Sequence, residues 1–98
     1  MIKVKINKNT IRITGHAGFA TYGKDIVCAS ASSIVIACAN DMFTVDKEAI
    51  SYDDNGEELV IQIIKEDELI RKLFNNLINL LSNLETDYPQ NITLESEE

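Results

Sequence analysis

Hydrophobic and polar residues alternate along two short segments near the start of the chain, Ile2–Ile6 and Thr10–Thr14. Alternation with a period of two is typical of half-buried β-strands. The Asn7-Lys8-Asn9 connection is short and polar, so the two segments are predicted to pair as a β-hairpin. The second strand ends at Gly15, and the only histidine, His16, follows it directly. The sheet is therefore expected to carry this imidazole to its edge.

The pattern then changes to a continuous apolar run over residues 26–43, which is rich in alanine and free of glycine and proline. Such a run predicts a helix, although its β-branched residues weaken the propensity. Asp25 immediately precedes it and is a good N-cap. Because almost all faces of this helix are apolar, we expect a sheet to cover one side and another surface, such as a second copy of the chain, to cover the other. Cys38, in its middle, is expected to be a small buried core residue.

The second half of the chain predicts three further strands and one helix. Residues 44–52 favour a strand, and residues 53–56 form a turn that contains the strong hairpin signal Asn-Gly. Residues 58–64 predict the most apolar strand, which we expect in the centre of the sheet. The sequence Lys-Glu-Asp-Glu over residues 65–68 opens a second helix with acidic residues at its positive end. The leucines of this helix recur every three or four residues, and Tyr88-Pro89 ends it. Residues 91–94 alternate as a last strand, and residues 95–98 read as a frayed acidic tail.

Together these elements predict an α+β fold in the order ββαββαβ. It is a two-layer sandwich in which two helices pack on a mostly antiparallel five-stranded sheet. With 98 residues, the chain is long enough for a single domain, residues 1–98. Burial is marginal at this size, so a dimer that hides more apolar surface would be unsurprising.

The net charge and the two cysteines indicate which binding partners and which cellular compartment to expect. A net charge of −7 argues against a direct nucleic-acid partner, which needs clustered lysine and arginine. The same charge either attracts a basic peptide or only maintains solubility. Two cysteines ten residues apart on one helix lie about 15 Å apart along its axis, too far for a disulfide. With no signal peptide, and with Asn40 and Asp41 closing the apolar run, we expect a cytoplasmic protein without a membrane span.

The candidate chemistry lies between Gly15 and Ser32. If Asp25 caps the helix, Cys28 is its third residue, where the helix dipole favours a thiolate. That effect is worth about 0.3–1 kcal/mol, whereas an imidazolium within about 4–6 Å lowers a thiol pKa by about 1–3 units. Cys28 therefore becomes a good nucleophile only if His16 folds back onto it. Gly18 and Gly23, in the intervening loop, make that return sterically possible.

This segment resembles the signature of the ribosomal-processing cysteine protease family, Prp. The resemblance rests on the Gly15-His16 pair, on the sequence Gly-Lys-Asp-Ile-Val-Cys-Ala over residues 23–29, and on the serines that follow. It implies a cysteine endopeptidase that removes the N-terminal extension, an aromatic-containing peptide, of a bacterial large-subunit ribosomal protein, number twenty-seven. It also implies a Cys28–His16 dyad, a homodimer, and a mobile loop that binds substrate, made of Gly15, Ala17, Gly18, Phe19, Tyr22 and Gly23.

Several assignments stay open within this interpretation. Asp25 either orients His16 or only caps the helix, and Ser32, one turn beyond Cys28, either lines the pocket or packs closely. Phe19 and Tyr22 either close over substrate or anchor the loop on the core. No cofactor is expected, and one histidine with two cysteines makes no zinc pattern, so no metal is predicted either.

Two other functions compete with proteolysis. From composition and spacing alone, His16 and Cys28 could be packing residues of a non-enzymatic, dimeric ribosome-associated or assembly module. A redox-sensing thiol would need a resolving cysteine near Cys28, and the sequence offers no plausible one. The motif favours the protease.

Overall fold

A computed structural model describes residues 1–15 and 26–97 of the chain. The elements follow the predicted order ββαββαβ, which confirms the fold class. They are β1 (Ile2–Ile6), β2 (Thr10–Thr14), α1 (Ile26–Val45), β3 (Ile50–Asp54), β4 (Glu58–Ile63), α2 (Glu68–Asp87) and β5 (Ile92–Ser96).

The five strands form one sheet in the order β3-β4-β2-β1-β5. Every neighbouring pair is antiparallel except β1 and β5, which run parallel. The strand β4 is an interior strand, as expected for the most apolar one, but the middle of the sheet is β2. Along β1, Ile2 and Val4 are buried whereas Lys3 and Lys5 are exposed, so the helices cover one face of the sheet and solvent covers the other.

The first helix is two residues longer than predicted, and the following strand begins later than predicted. We expected a strand from residue 44, but the helix continues to Val45. Asp46 then forms a turn in which its carboxylate accepts a hydrogen bond from the Glu48 N–H at 2.9 Å, and its carbonyl accepts one from the Ala49 N–H at 3.2 Å. The local β-branched residues were therefore misleading, because the helical hydrogen bonds continue as far as the Asp46 N–H, which bonds to Met42.

Two segments predicted to be irregular belong to the sheet. Asp53 and Asp54, assigned to a turn, pair with β4, and the tight turn is formed around Gly56, whose φ is +89°. At the C-terminus, Glu95 and Ser96 pair with β1 rather than fraying. Sheet pairing supplies these residues with backbone hydrogen bonds that their own sequence does not indicate.

The second helix begins three residues later than the acidic run suggested. The Asp67 side chain caps it by accepting hydrogen bonds from the N–H groups of Leu69 and Ile70 at 3.1 and 3.2 Å. As predicted, the helix ends at Asp87, just before Tyr88-Pro89. Its buried stripe joins the core between the layers, and its members are Ile70, Phe74, Leu77, Leu81 and Leu84.

The helix α1 belongs to the same core. Its buried residues are Val27, Ala31, Val35, Cys38, Ala39 and Met42. By length and composition alone it could also cross a membrane, since its most apolar window has a mean hydropathy of 1.6, although the sequence predicted no such helix. A third of that window is buried, and core helices of soluble proteins share this composition.

Candidate active site

The thiol of Cys28 lies at the start of α1. The helix begins at Ile26, so Cys28 is its third residue, the position that the sequence predicted. Its neighbours Val27 and Ala31 are buried, which fixes the orientation of the first turn against the sheet. Cys28 itself is half-buried and packs against the edge of the core. The helix therefore holds this sulfur at the boundary between core and solvent, where a substrate can reach it.

The end of β2 lies beside the first turns of α1. Ile13 of β2 and Ala31 of α1 line the same hollow, so the end of β2 and the first turns of α1 face a common space. Gly15 follows β2 with a φ of +76°, and a Cβ at this position would lie 2.2 Å from the carbonyl oxygen of Met1. Both the backbone angle and the close approach require glycine. The chain thus leaves the sheet at a fixed point near the start of the helix.

Most of the residues predicted to work with Cys28 lie outside the described part of the chain. They are His16, Ala17, Gly18, Phe19, Tyr22, Gly23 and Asp25. The dyad, the substrate loop and both alternatives for Asp25 therefore stay predictions. Of the supporting residues, Gly15 and Ser32 are described. Ser32 is exposed, one turn beyond Cys28, and lines the hollow between α1 and the sheet.

Two polar residues of this hollow were not among the predicted site residues. Tyr52 and Asp54 of β3 line it from the side opposite Ser32. They follow the buried Ile50 at intervals of two residues, and this spacing on an identified strand would have assigned them to the same, helix-facing side of the sheet. Burial, and secondarily the charge of Asp54, raise the pKa of the Tyr52 phenol, so this side chain is neutral at physiological pH.

The second cysteine has the structural environment expected of it. Cys38 is buried in the core, and burial, followed by the charge of Asp41, raises the pKa of its thiol. It is therefore poorly suited to act as a nucleophile. In residues 1–15 and 26–97, no three histidine, cysteine, aspartate or glutamate side chains are grouped as a metal site.

Known proteins resemble this chain over almost its whole length. The sequence profile of the family described as cysteine protease Prp matches residues 1–93. The ribosomal processing cysteine protease Prp of Staphylococcus aureus is 31% identical over 103 residues, which cover 96% of this chain and 97% of that protein.

Two crystal structures of a Prp from S. aureus have the same fold. The complex with a covalently linked product peptide superimposes with a TM-score of 0.84 at 29% identity, and the complex with a substrate peptide with 0.86 at 27%. Each comparison covers 99% of this chain and 100% of the other. The chain belongs to the cysteine protease Prp family and is a ribosomal-processing cysteine protease, so the non-enzymatic alternative is set aside.

Proposed function

We propose that this member of the Prp family removes the N-terminal extension of a bacterial large-subunit ribosomal protein, number twenty-seven, with Cys28 as nucleophile and His16 as its acid–base partner. The observation that carries the proposal is the placement of Cys28. It is a half-buried thiol in the first turn of α1, next to the end of the strand that His16 follows in sequence. The S. aureus Prp bound to a covalently linked product peptide supports the same class of chemistry.

The reaction needs four proton transfers, two while the thioester forms and two while it is hydrolysed. His16 takes the proton of the Cys28 thiol, and the thiolate attacks the scissile carbonyl carbon to form a C–S bond. The imidazolium then donates that proton to the leaving amine as the C–N bond breaks, which leaves a thioester on Cys28. A water molecule, deprotonated by His16, attacks the thioester, and the thiol regains its proton as the extension leaves as a carboxylic acid.

The start of α1 suits the charged intermediate of this reaction. Backbone N–H groups in the first turn of a helix have no carbonyl partner within the helix, and they point toward its N-terminal end. A developing oxyanion close to Cys28 lies near these donors and near the positive end of the helix dipole. The helix that positions the nucleophile therefore also stabilises the transition state.

The proposal is tested with the extended ribosomal protein as substrate. Wild type, Cys28→Ala, His16→Ala and the control Cys38→Ala are incubated with it, and intact and processed protein are separated by mass spectrometry. We expect cleavage by wild type and Cys38→Ala, and a loss of at least roughly 1,000-fold in the other two, since removing a member of such a unit removes most of the rate enhancement. Undiminished cleavage by Cys28→Ala or His16→Ala would overturn the dyad.

We further infer that the protein is a cytoplasmic homodimer, with a second copy covering the outer face of α1. This face consists of Ile26, Ala29, Ser33 and Ala37, all exposed and none charged. Ile26 alone is 57% exposed. An apolar, uncharged helix face of this kind suits a self-complementary twofold contact.

Sedimentation velocity tests the dimer. Ala37→Glu places two charges near each other in a contact centred on this face, so we expect it to give a monomer where wild type gives a dimer. Asn75→Glu, on the exposed side of α2, adds the same charge elsewhere and should leave the dimer intact. A monomeric wild type, or a dimeric Ala37→Glu protein, contradicts the inference.

A further inference from the structure

We propose that the groove between α1 and β3 is the subsite that recognises the substrate, and that it takes a large apolar side chain of the extension two or three residues from the scissile bond. This inference rests on the proposed function and adds the residues that select the peptide. Ile36 and Tyr52 form the wall that determines specificity.

The groove consists of two hollows that share this wall. The first, about 70 Å³, has a buried apolar floor that includes Ile13, Val35 and Leu59. The second, about 260 Å³, continues along α1 past Ala39 to Phe43. Ile36 and Tyr52 line both hollows. The two side chains therefore stand between the hollows, whose remaining lining is apolar apart from Ser32 and Asp54 in the first and Asn40 in the second.

The helical spacing connects this channel to the nucleophile. Cys28, Ser32 and Ile36 follow one another at intervals of four residues, which places them on one ridge of α1. With a rise of about 1.5 Å per residue, Ser32 lies about 6 Å and Ile36 about 12 Å from Cys28 along the helix axis. An extended peptide advances about 3.3 Å per residue. The first hollow is thus reached by the second or third substrate residue from the attacked carbonyl.

The composition of the groove selects the chemistry of its occupant. Ile36 is 59% exposed although it stands beside a buried apolar floor, so an apolar side chain placed there removes surface of both partners from water. The Tyr52 phenol is already uncharged near neutral pH, and burial raises its pKa further, so its ring is an uncharged wall. The strand β3 ends the described sheet, and its outer edge can pair with an extended peptide backbone. These features fit an extended apolar segment of the substrate.

Two groove variants and two controls test the inference with a synthetic peptide that spans the extension and the cleavage junction. Ile36→Ser and Tyr52→Ser remove the wall, and we expect each to raise KM and lower kcat/KM by roughly 10- to 200-fold, with kcat nearly unchanged. In a Cys28→Ala background, the same changes should weaken peptide binding by a similar factor. Ile64→Ser is the matched control, since Ile64 is 57% exposed, close to the 59% of Ile36, but lies outside the groove. Tyr52→Phe keeps the ring, so its KM should lie closer to that of wild type than the KM of Tyr52→Ser does.

The outcomes separate this inference from the proposed function. If wild type does not cleave the extended protein, both are overturned. If wild type cleaves, and Ile36→Ser and Tyr52→Ser match Ile64→Ser in KM and binding, only the groove assignment is overturned. If Ile36→Ser or Tyr52→Ser changes the oligomeric state but not the kinetics, the groove assignment is also overturned, because the groove would then contact a second copy instead of the peptide. Serine substitution of each apolar residue in the peptide should give one dominant loss, two or three positions from the cleaved bond.

Discussion

From the close contact between Gly15 and Met1 we predict how much stability the protein loses when Gly15, at the end of β2, is replaced by alanine. Replacing Gly15 with alanine places a Cβ 2.2 Å from the Met1 carbonyl oxygen, whereas real Cβ atoms essentially never come within 3.0 Å of a neighbour. At least 0.8 Å of movement is therefore required. Met1 precedes the buried Ile2, whose N–H donates to the Asn91 carbonyl at 2.8 Å. The displacement is thus transmitted to the β1–β5 pairing.

The loss of unfolding free energy in Gly15→Ala has two parts. The left-handed angle costs a non-glycine residue about 1–2 kcal/mol, and a weakened hydrogen bond at Ile2 adds about 0.5–1.5 kcal/mol. We expect Gly15→Ala to lose about 2–3 kcal/mol of the free energy of unfolding, which for a chain of this size lowers Tm by about 10–20 °C. Since such domains are stable by about 5–15 kcal/mol, the variant should still fold.

Gly56 is the matched control. It also has a positive φ, +89°, but a Cβ there has no neighbour within 4 Å. Gly56→Ala should therefore lose only the backbone part, about 1–2 kcal/mol. Asparagine tolerates the left-handed angle, so Gly56→Asn should approach wild type while Gly15→Asn keeps the contact with Met1.

Urea denaturation followed by circular dichroism measures these differences, and the cleavage assay at a temperature where all variants are folded measures their effect on the site. Cleavage should fall in the Gly15 variants and be preserved in the Gly56 variants, because only Gly15 fixes the point where the chain leaves β2. Equal stability losses at the two positions, with full cleavage by Gly15→Ala, would refute the reasoning.

Three further predictions concern the thiols, the cap of α2 and the core. Iodoacetamide should alkylate Cys28 below pH 8 and leave Cys38 unmodified even at pH 9, since burial raises the pKa of the Cys38 thiol; equal, slow labelling of both would contradict an activated Cys28. Asp67→Ala should destabilise the protein by about 1 kcal/mol in urea denaturation while Asp67→Asn does not, because asparagine also caps helices; equal losses would argue against the cap. Phe74 is fully buried, so Phe74→Ala should cost about 3–5 kcal/mol, and a loss below 1 kcal/mol would contradict its place in the core.

The local sequence was sufficient to predict an element where its hydrophobic periodicity alone determines the structure. The strands β1 and β2 were predicted with their observed bounds, because each alternates strictly over its whole length. The start of α1 was predicted as well, and with it the place of Cys28 in the first turn. The amphipathic stripe of α2 correctly gave its buried face, although Leu69 on that stripe is 49% exposed.

Predictions failed where a distant partner decides the structure. The residues Glu95 and Ser96 look like a charged tail, but they pair with Lys5 and Ile6, some ninety positions away in the sequence. The central position of β2 depends on the order of all five strands, which no local pattern contains. The groove was missed for the same reason, since Tyr52 has a role only once β3 is known to lie beside α1.

The register of α1 connects catalysis with substrate selection. Cys28 and Ile36 are eight residues apart, about 2.2 helical turns, so one ridge of α1 carries both the proposed nucleophile and the proposed wall of the groove. A helix rotates by about 100° per residue. A single inserted residue between them would keep the helix but turn Cys28 away from the groove's axis, so the distance from the cleaved bond to the recognised side chain is set by helical geometry. Under the two proposals together, the spacing of residues on α1 therefore determines which peptide bond is cut.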